Sequence, residues 1–371
     1  MKVLILNFRD IRNPAAGGSE VATHEMAKRW VSWGHEVTLF APKYQGCQGQ
    51  EDFEGVHIIR RGGRYTVYWQ AFRYYQKNLR GRYDLVIDEI NTVPFLAHLY
   101  AGVPVVALIH QLAREVWFYE ARFPLSLIGY LLEPLYLRLY RKVPAMTISR
   151  STANDLLKVG IERVWVITLG INVEPLVSLP PKVEGDPVLL FVGRVVPSKR
   201  VHAAIEALPG ILAVYPQAKL LVAGDLGVKH YARRLWALIC QKGLASHVRL
   251  LGYLPKTEKL AKMQEATLLL VTSVREGWGL VVVEANAMGT PAVVYNVHGL
   301  RDSVHDGETG VVCSKNTPEE LGRAVVALLK DTERYEKIRR QAWEWSQELT
   351  WDKVAREALD FLEKVATKQT G

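Results

Sequence analysis

Cysteine is scarce: Cys47, Cys240 and Cys313 are the only three in 371 residues, and no two share a pairing spacing. A disulfide scaffold is therefore excluded, and free thiols in a reducing cytoplasm are expected. No apolar run reaches the length of a membrane span, and residues 3–8 go straight into a strand, so neither a spanning helix nor a leader is expected. G-x-G-x-x-G is missing, which disfavours an NAD-type dinucleotide site. G-x-x-x-x-G-K-[ST] and G-x-S-x-G are missing too, so P-loop and hydrolase readings lack their motifs. No His/Cys/Asp/Glu cluster has metal-ligand spacing and no D-x-D pair occurs, so neither a dedicated metal site nor a cofactor is expected.

What is present is ordinary in bulk: 49% hydrophobic and 23% charged residues, with a net charge of +9 spread over both halves. The chain is long for one core, so two domains are the natural expectation. Strand-like runs near 36–41, 56–60, 84–88, 104–109, 144–148 and 163–167 follow the first. Helical patterns near 19–33, 66–80, 112–121, 125–141 and 150–158 separate several of them. Residues 174–187 hold four prolines and no periodicity, which reads as a linker. A second strand–helix series then runs from 187, and the last fifty or so residues are helical. The expected architecture is α/β with two doubly wound domains. Residues 1–173 form the first domain, 174–186 the linker and 187–350 the second domain.

One stretch organises the rest: residues 271–296, VTSVREGWGLVVVEANAMGTPAVVYN. An apolar run ends in a loop with Glu276, Gly277, Trp278 and Gly279, a helix-compatible segment runs from Leu280 to Met288, and a second apolar run follows. That is a βαβ unit whose loop sits at the carboxyl edge of a parallel sheet, where open α/β sheets bind ligands. Glycines at 277 and 279 allow close backbone approach, and a helix starting near Gly279 aims its first N–H groups into the loop, as phosphate requires. Glu284 lies about 6 Å further along the axis at about 1.5 Å per residue. The bland alternative is a solvated loop acid and a helix-surface acid.

Three further segments point to the same edges. The first strand of the second domain ends in GRVVPSK, where Gly193, Arg194 and Lys199 offer two cations to a diphosphate or merely flank a turn. Gly17 and Gly18 precede a helix and could bring backbone donors to an anion. His110 closes the apolar strand VVALIH, where it either meets a sugar hydroxyl or serves a structural role.

GGSE at 17–20, GRVVPSK at 193–199 and EGWGLVVVE at 276–284, in this order and spacing, resemble the retaining GT-B glycosyltransferases of family 4. The similarity covers nearly the whole chain, and the E-x7-E pair with its glycines is its most specific element. The resemblance implies two facing Rossmann-like domains with a cleft between them, and a last helix, about 351–371, that crosses back to the first. It implies that the second domain holds a nucleotide-diphosphate sugar, UDP- or GDP-linked first, while the first domain takes the acceptor. Arg194 and Lys199 would neutralise the diphosphate, joined by the Gly17-Gly18 backbone. Glu284 would bind the ribose, Glu276 would sit over the donor sugar, Gly193, Gly277, Trp278, Gly279 and Leu280 would line the donor site, and His110 would contact the transferred sugar. Retention is expected through same-face attack without a covalent intermediate on Glu276.

The acceptor remains open between a glycan, a lipid-linked sugar and a small molecule. From Gly55 to Tyr83 there is no acid but seven basic and seven aromatic residues, a pattern that can attract anions. Residues 123–142 place Leu, Tyr and Ile beside Arg138, Arg141 and Lys142, which suits an interfacial helix as well as a core helix with a solvated basic end. The expected location is cytoplasmic, with a peripheral contact at an anionic membrane. Rival functions are a nucleotide-sugar epimerase, disfavoured by the E-G-x-G with its distal Glu, and a nucleic-acid-binding module, which needs no paired glutamates; no nucleic-acid partner is expected.

Overall fold

A computed structural model describes residues 1–182 and 185–368, which separate into two compact units. The first comprises Met1–Trp117, Phe123–Gly170 and the segment from Thr350 onward; the second comprises Phe118–Arg122 and Ile171–Leu349.

In the first unit the strands are β1 (Lys2–Leu6), β2 (Glu36–Ala41), β3 (Gln50–Phe53), β4 (Val56–Arg60), β5 (Leu85–Glu89), β6 (Val105–Ile109), β7 (Ala145–Thr147) and β8 (Val164–Val166). They lie in the order β3-β4-β2-β1-β5-β6-β7-β8, parallel except for the β3–β4 pair. β5, β6 and β7 are buried at every position, as strands covered on both faces must be. The helices are α1 (Gly18–Ser32), α2 (Val67–Tyr74, running into a π-helical turn to Leu79), α4 (Leu125–Leu137) and α5 (Arg150–Val159), while α3 (Trp117–Glu120) has only Trp117 in this unit and its remaining residues in the second. The C-terminal helix Trp351–Lys368 belongs to this unit. Trp30 Nε1 donates to Ala355 O at 2.8 Å, and Phe361 stacks on Trp165 at 5.6 Å. Residues 369–371, expected in this helix, lie outside the described residues.

Three local expectations need correction. The helix expected over 112–121 is shorter and starts as a 3-10 turn, Arg114–Val116, that runs into Trp117–Glu120; Arg114 adopts φ 40°, and the buried Glu133 carboxylate takes the N–H groups of Ala113 (2.6 Å) and Arg114 (2.7 Å). β3 was not expected; it pairs with β4 through backbone, although its own sequence, QEDF, carries no apolar alternation. The basic stretch 60–83 is not one open patch. Arg60 is fully buried and doubly bonded to Asp10 (both 2.8 Å), and Arg61 Nη1 donates to the carbonyls of Gly49 and Arg60.

The second unit contains β9 (Val188–Val192), α6 (Val201–Leu212), β10 (Lys219–Ala223), α7 (Lys229–Gln241), β11 (Val248–Gly252), α8 (Lys256–Glu265), β12 (Leu268–Val271), α9 (Leu280–Ala287), β13 (Ala292–Val294), β14 (Gly310–Val312), α10 (Pro318–Lys330) and α11 (Thr332–Ser346). Its sheet is parallel throughout, in the order β11-β10-β9-β12-β13-β14. The proline-bearing segment expected as a linker lies along this unit. Leu176 N donates to Ala287 O at 3.0 Å, Trp343 Nε1 donates to Leu176 O at 2.9 Å, and Lys182 Nζ donates to Ala266 O at 2.6 Å. Val183 and Glu184 of that segment lie outside the described residues.

Candidate functional site

Each sheet has one place where the strand order reverses, and crevices for ligands form there, beyond the carboxyl ends of the strands. In the second unit the reversal falls between β9 and β12, so the loops after those two strands, residues 193–199 and 272–279, share one edge. Backbone and hydroxyl bonds stitch these loops together. Thr272 Oγ1 donates to the carbonyls of Lys199 (3.1 Å) and Arg200 (2.9 Å), and Val274 N donates to Ser198 O at 2.9 Å. Gly224 has to be glycine, because an added Cβ there would lie 1.8 Å from Gly193 O.

The stitching brings charge together. Lys199 Nζ donates to Glu276 Oε1, which also accepts from Ser273 Oγ at 2.6 Å. Glu276 N donates to His298 O at 3.0 Å, and the next residue, Gly299, has to be glycine, since its φ is 81° and a Cβ there would meet Glu276 O at 2.3 Å. Gly279 caps α9 in the left-handed region at φ 99°, so the helix begins at Leu280 as expected, with the first N–H groups of α9 at the loop. Glu276, Gly277, Leu280, Val281 and Glu284 are partly exposed while Trp278, Val282 and Val283 are buried, so one strip of the loop and helix meets solvent. Trp278 does not present its ring on that strip. It packs inward against Trp345 at 6.4 Å and anchors the loop.

Arg194 is 68% exposed, with its guanidinium 3.8 Å from Glu120. Glu284 pairs with Lys259 of α8 at 2.7 Å. Sequence reasoning missed Lys259, because α8 carries several lysines and nothing marks this one. The edge thus carries Lys199 on Glu276, Lys259 on Glu284 and the exposed Arg194 beside Glu120, next to a helix N-terminus, an arrangement suited to a polyanion bearing hydroxyl groups. Among the described residues no group of three or more His, Cys, Asp or Glu is placed to hold a metal ion.

In the first unit the order reverses between β1 and β5. Asn7 just past β1, Glu89 at the end of β5 and His110 just past β6 converge there. Glu89 is fully buried; it accepts from Asn7 Nδ2 at 2.6 Å and Thr23 Oγ1 at 2.8 Å, and its other oxygen lies 3.2 Å from His110 Nε2. Burial pushes the Glu89 carboxyl above its usual range, and its hydrogen bond to His110 pulls the other way. His110 Nδ1 is buried without a partner among the described residues. Glu89 and Asn7 were not expected as site residues; the signal was an acid closing the apolar run LVIDE.

Gly17 is the N-cap of α1, displacing the expected start at Ser19, and its N–H is already bonded to Glu20 Oε2 at 2.7 Å. Glu20 is buried and lies 3.4 Å from Arg9. A carboxylate thus occupies part of the helix end that was expected to receive phosphate, leaving Gly18 as the nearer expected donor.

Two family models match the chain: Glycosyltransferase Family 4 over residues 16–175 and Glycosyl transferases group 1 over residues 179–345. Glycogen synthase of Mycobacterium tuberculosis is 32% identical over 213 residues, 54% of this chain and 48% of that protein, so the chain spans about half the length of this curated relative. Sucrose-phosphate synthase from Thermosynechococcus elongatus superposes over 99% of both chains with a TM-score of 0.78 at 20% identity. HepE from Anabaena, solved in complex with UDP-glucose, matches over 98% of this chain and 100% of its own, with a TM-score of 0.72 at 18% identity. The fold they share with this chain is GT-B, two parallel-sheet Rossmann-like units. With one pattern matching most of the first unit and the other most of the second, the chain belongs to the family 4 glycosyltransferases.

Proposed function

We propose that this chain moves a sugar from a nucleotide-diphosphate sugar, UDP- or GDP-linked, to a hydroxyl of a glycan, lipid-linked or small-molecule acceptor, with retention at the anomeric carbon. The observation that carries the reading is the Lys199–Glu276 pair beside the α9 N-terminus at the second unit's switch point. Departure of a nucleoside diphosphate needs preorganised positive charge on its oxygens. Lys199, Arg194 and the first amides of α9 supply that charge, so no metal is assigned a part. HepE's complex with UDP-glucose supports a donor of this class.

The acceptor hydroxyl attacks on the face from which the diphosphate leaves. Its oxygen bonds to the anomeric carbon, the carbon–oxygen bond to the phosphate breaks, and the hydroxyl proton passes to the departing phosphate oxygen. A double displacement would instead need a carboxylate at the anomeric carbon. Glu276 is reserved for the sugar hydroxyls and Glu284 for the ribose. With Glu89 ionised, His110 donates from Nε2 and offers the lone pair of Nδ1, which accepts from a hydroxyl of the transferred sugar. Gly18 and its neighbours in α1 supply weaker help, because Glu20 already fills that turn.

Thermal-shift screening against UDP, GDP and ADP sugars tests the donor assignment, followed by mass spectrometry of products with and without acceptors. Stabilisation by one nucleotide class, lost in Lys199→Ala, is expected. No response to any nucleotide sugar would sink the reading, and turnover of the donor to its epimer without an acceptor would replace transfer by epimerisation.

A further inference from the structure

α4 is built inside out. Its buried positions are Ser126, Glu133 and, in its last turn, Leu137, with Glu133 spent on the Ala113 and Arg114 amides. Its outward positions are Leu125, Ile128, Leu131, Leu132 and Leu135, and Leu139 continues the stripe; Leu125 is 64% and Leu131 55% exposed. An ordinary surface helix turns its apolar stripe to the core. The stripe here faces solvent for the full length of the helix with no polar side chain interrupting it. Between residues 121 and 142 Glu133 is the sole acid, while Arg122, Arg138, Arg141 and Lys142 are all exposed. Of these, Arg141 is paired with Glu162 at 2.8 Å.

We propose that this face docks on an anionic lipid bilayer, with α4 lying in the plane of the interface. At 13 residues the helix is about 20 Å long at about 1.5 Å per residue, well short of a span of about 30 Å. Among the described residues no helix is long and apolar enough to cross a membrane. A one-sided leucine stripe with arginine and lysine at its end matches a helix whose apolar side enters the acyl boundary while its cations meet lipid phosphates. A second copy of the chain fits less well, because two such basic faces would repel each other. The proposal is independent of the transfer reaction.

Co-sedimentation of the full chain with vesicles of equal parts phosphatidylglycerol and phosphatidylcholine, and with phosphatidylcholine alone, tests it. Binding to the anionic vesicles at low salt, weakening at high salt, is expected. Leu131→Ser with Leu135→Ser should lower that binding roughly tenfold or more, and Arg138→Ala with Lys142→Ala should remove most of its salt dependence. Both side-chain pairs are exposed, so the thermal midpoint and the response to nucleotide sugar should stay unchanged in all variants and report separately on folding and on donor binding. Failure of the chain to bind anionic vesicles at low salt overturns the proposal, as does a leucine variant that binds as well as the original. A dimer that Leu131→Ser dissolves, without vesicle binding, would assign the face to a second copy instead.

Discussion

Both switch points hold a carboxylate against a nitrogen base, yet the two are built for different uses. In the second unit the Lys199 and Glu276 side chains keep 23% and 16% of their exposure; in the first unit His110 and Glu89 keep 8% and 0%. A partly wet ion pair is worth little to folding and can change partners without a large desolvation cost. A buried carboxylate with three donors around it cannot be disturbed without leaving those donors unsatisfied. The second unit's edge is therefore arranged to trade partners when a polyanion arrives. The first unit's edge is arranged to hold one imidazole in one orientation.

The largest expected effect tests the exchangeable pair. Lys199→Ala should lower kcat/KM roughly a hundred- to a thousandfold, the scale of losing one preorganised contact to a developing charge. The thermal midpoint should hardly move. Glu276→Ala should cost a similar factor, and the double variant should lose much less than the product, because the two side chains act as a unit. Mass spectrometry of Glu276 during turnover should find no glycosyl adduct; finding one would replace same-face attack by double displacement. A large drop in melting temperature for Lys199→Ala would erase the contrast between the two edges.

The mirror-image test falls on Glu89. Glu89→Ala leaves Asn7 Nδ2, Thr23 Oγ1 and the His110 ring facing a buried gap, and should destabilise the first unit by about 3 kcal/mol. Glu89→Gln fills the space without the charge, so it should fold while losing part of the activity. Its pH behaviour carries a sign. Burial raises the folded carboxyl above its unfolded value of about 4.3. The associated stability is fully present below that value and drains away as pH climbs through the folded pKa. The midpoint of Glu89→Gln relative to the original chain should therefore rise with pH across that window. A difference that is flat with pH would mean that Glu89 titrates as an ordinary exposed acid.

The same contrast explains what could be read from the sequence. The second unit's edge was legible because its loops announce themselves: glycines at 193, 277 and 279 break apolar runs, and the charges between them have no packing role to hide in. The first unit's edge was half legible. His110 stood at a strand end, but Asn7 read as part of the strand over 3–8 and Glu89 as a residue just past the strand near 84–88, and their meeting is set by the strand order, which no local pattern encodes. Trp278 shows the reverse error. An aromatic in a glycine loop invites a ligand role, yet packing against Trp345 claims it for the core. α4 was ambiguous because helical periodicity finds a stripe without saying which way it faces. Only Glu133, bonded inward to two amides, fixes the leucines outward.

The smallest effect separates a donor contact from a structural one within the second unit. Glu284 and Lys259 pair at 2.7 Å, both still partly exposed, so breaking the pair alone should change stability by no more than about 1 kcal/mol. If Glu284 accepts the ribose hydroxyls, Glu284→Gln exchanges charge-assisted hydrogen bonds for neutral ones and should raise the donor KM about tenfold. The ribose lies away from the breaking bond, so kcat should stay where it was, the pattern of uniform binding lost. Lys259→Ala frees Glu284 from its competitor and should leave the donor KM within about threefold. Should Lys259→Ala raise the KM and Glu284→Gln leave it alone, the donor contact belongs to the lysine and the glutamate only positions it.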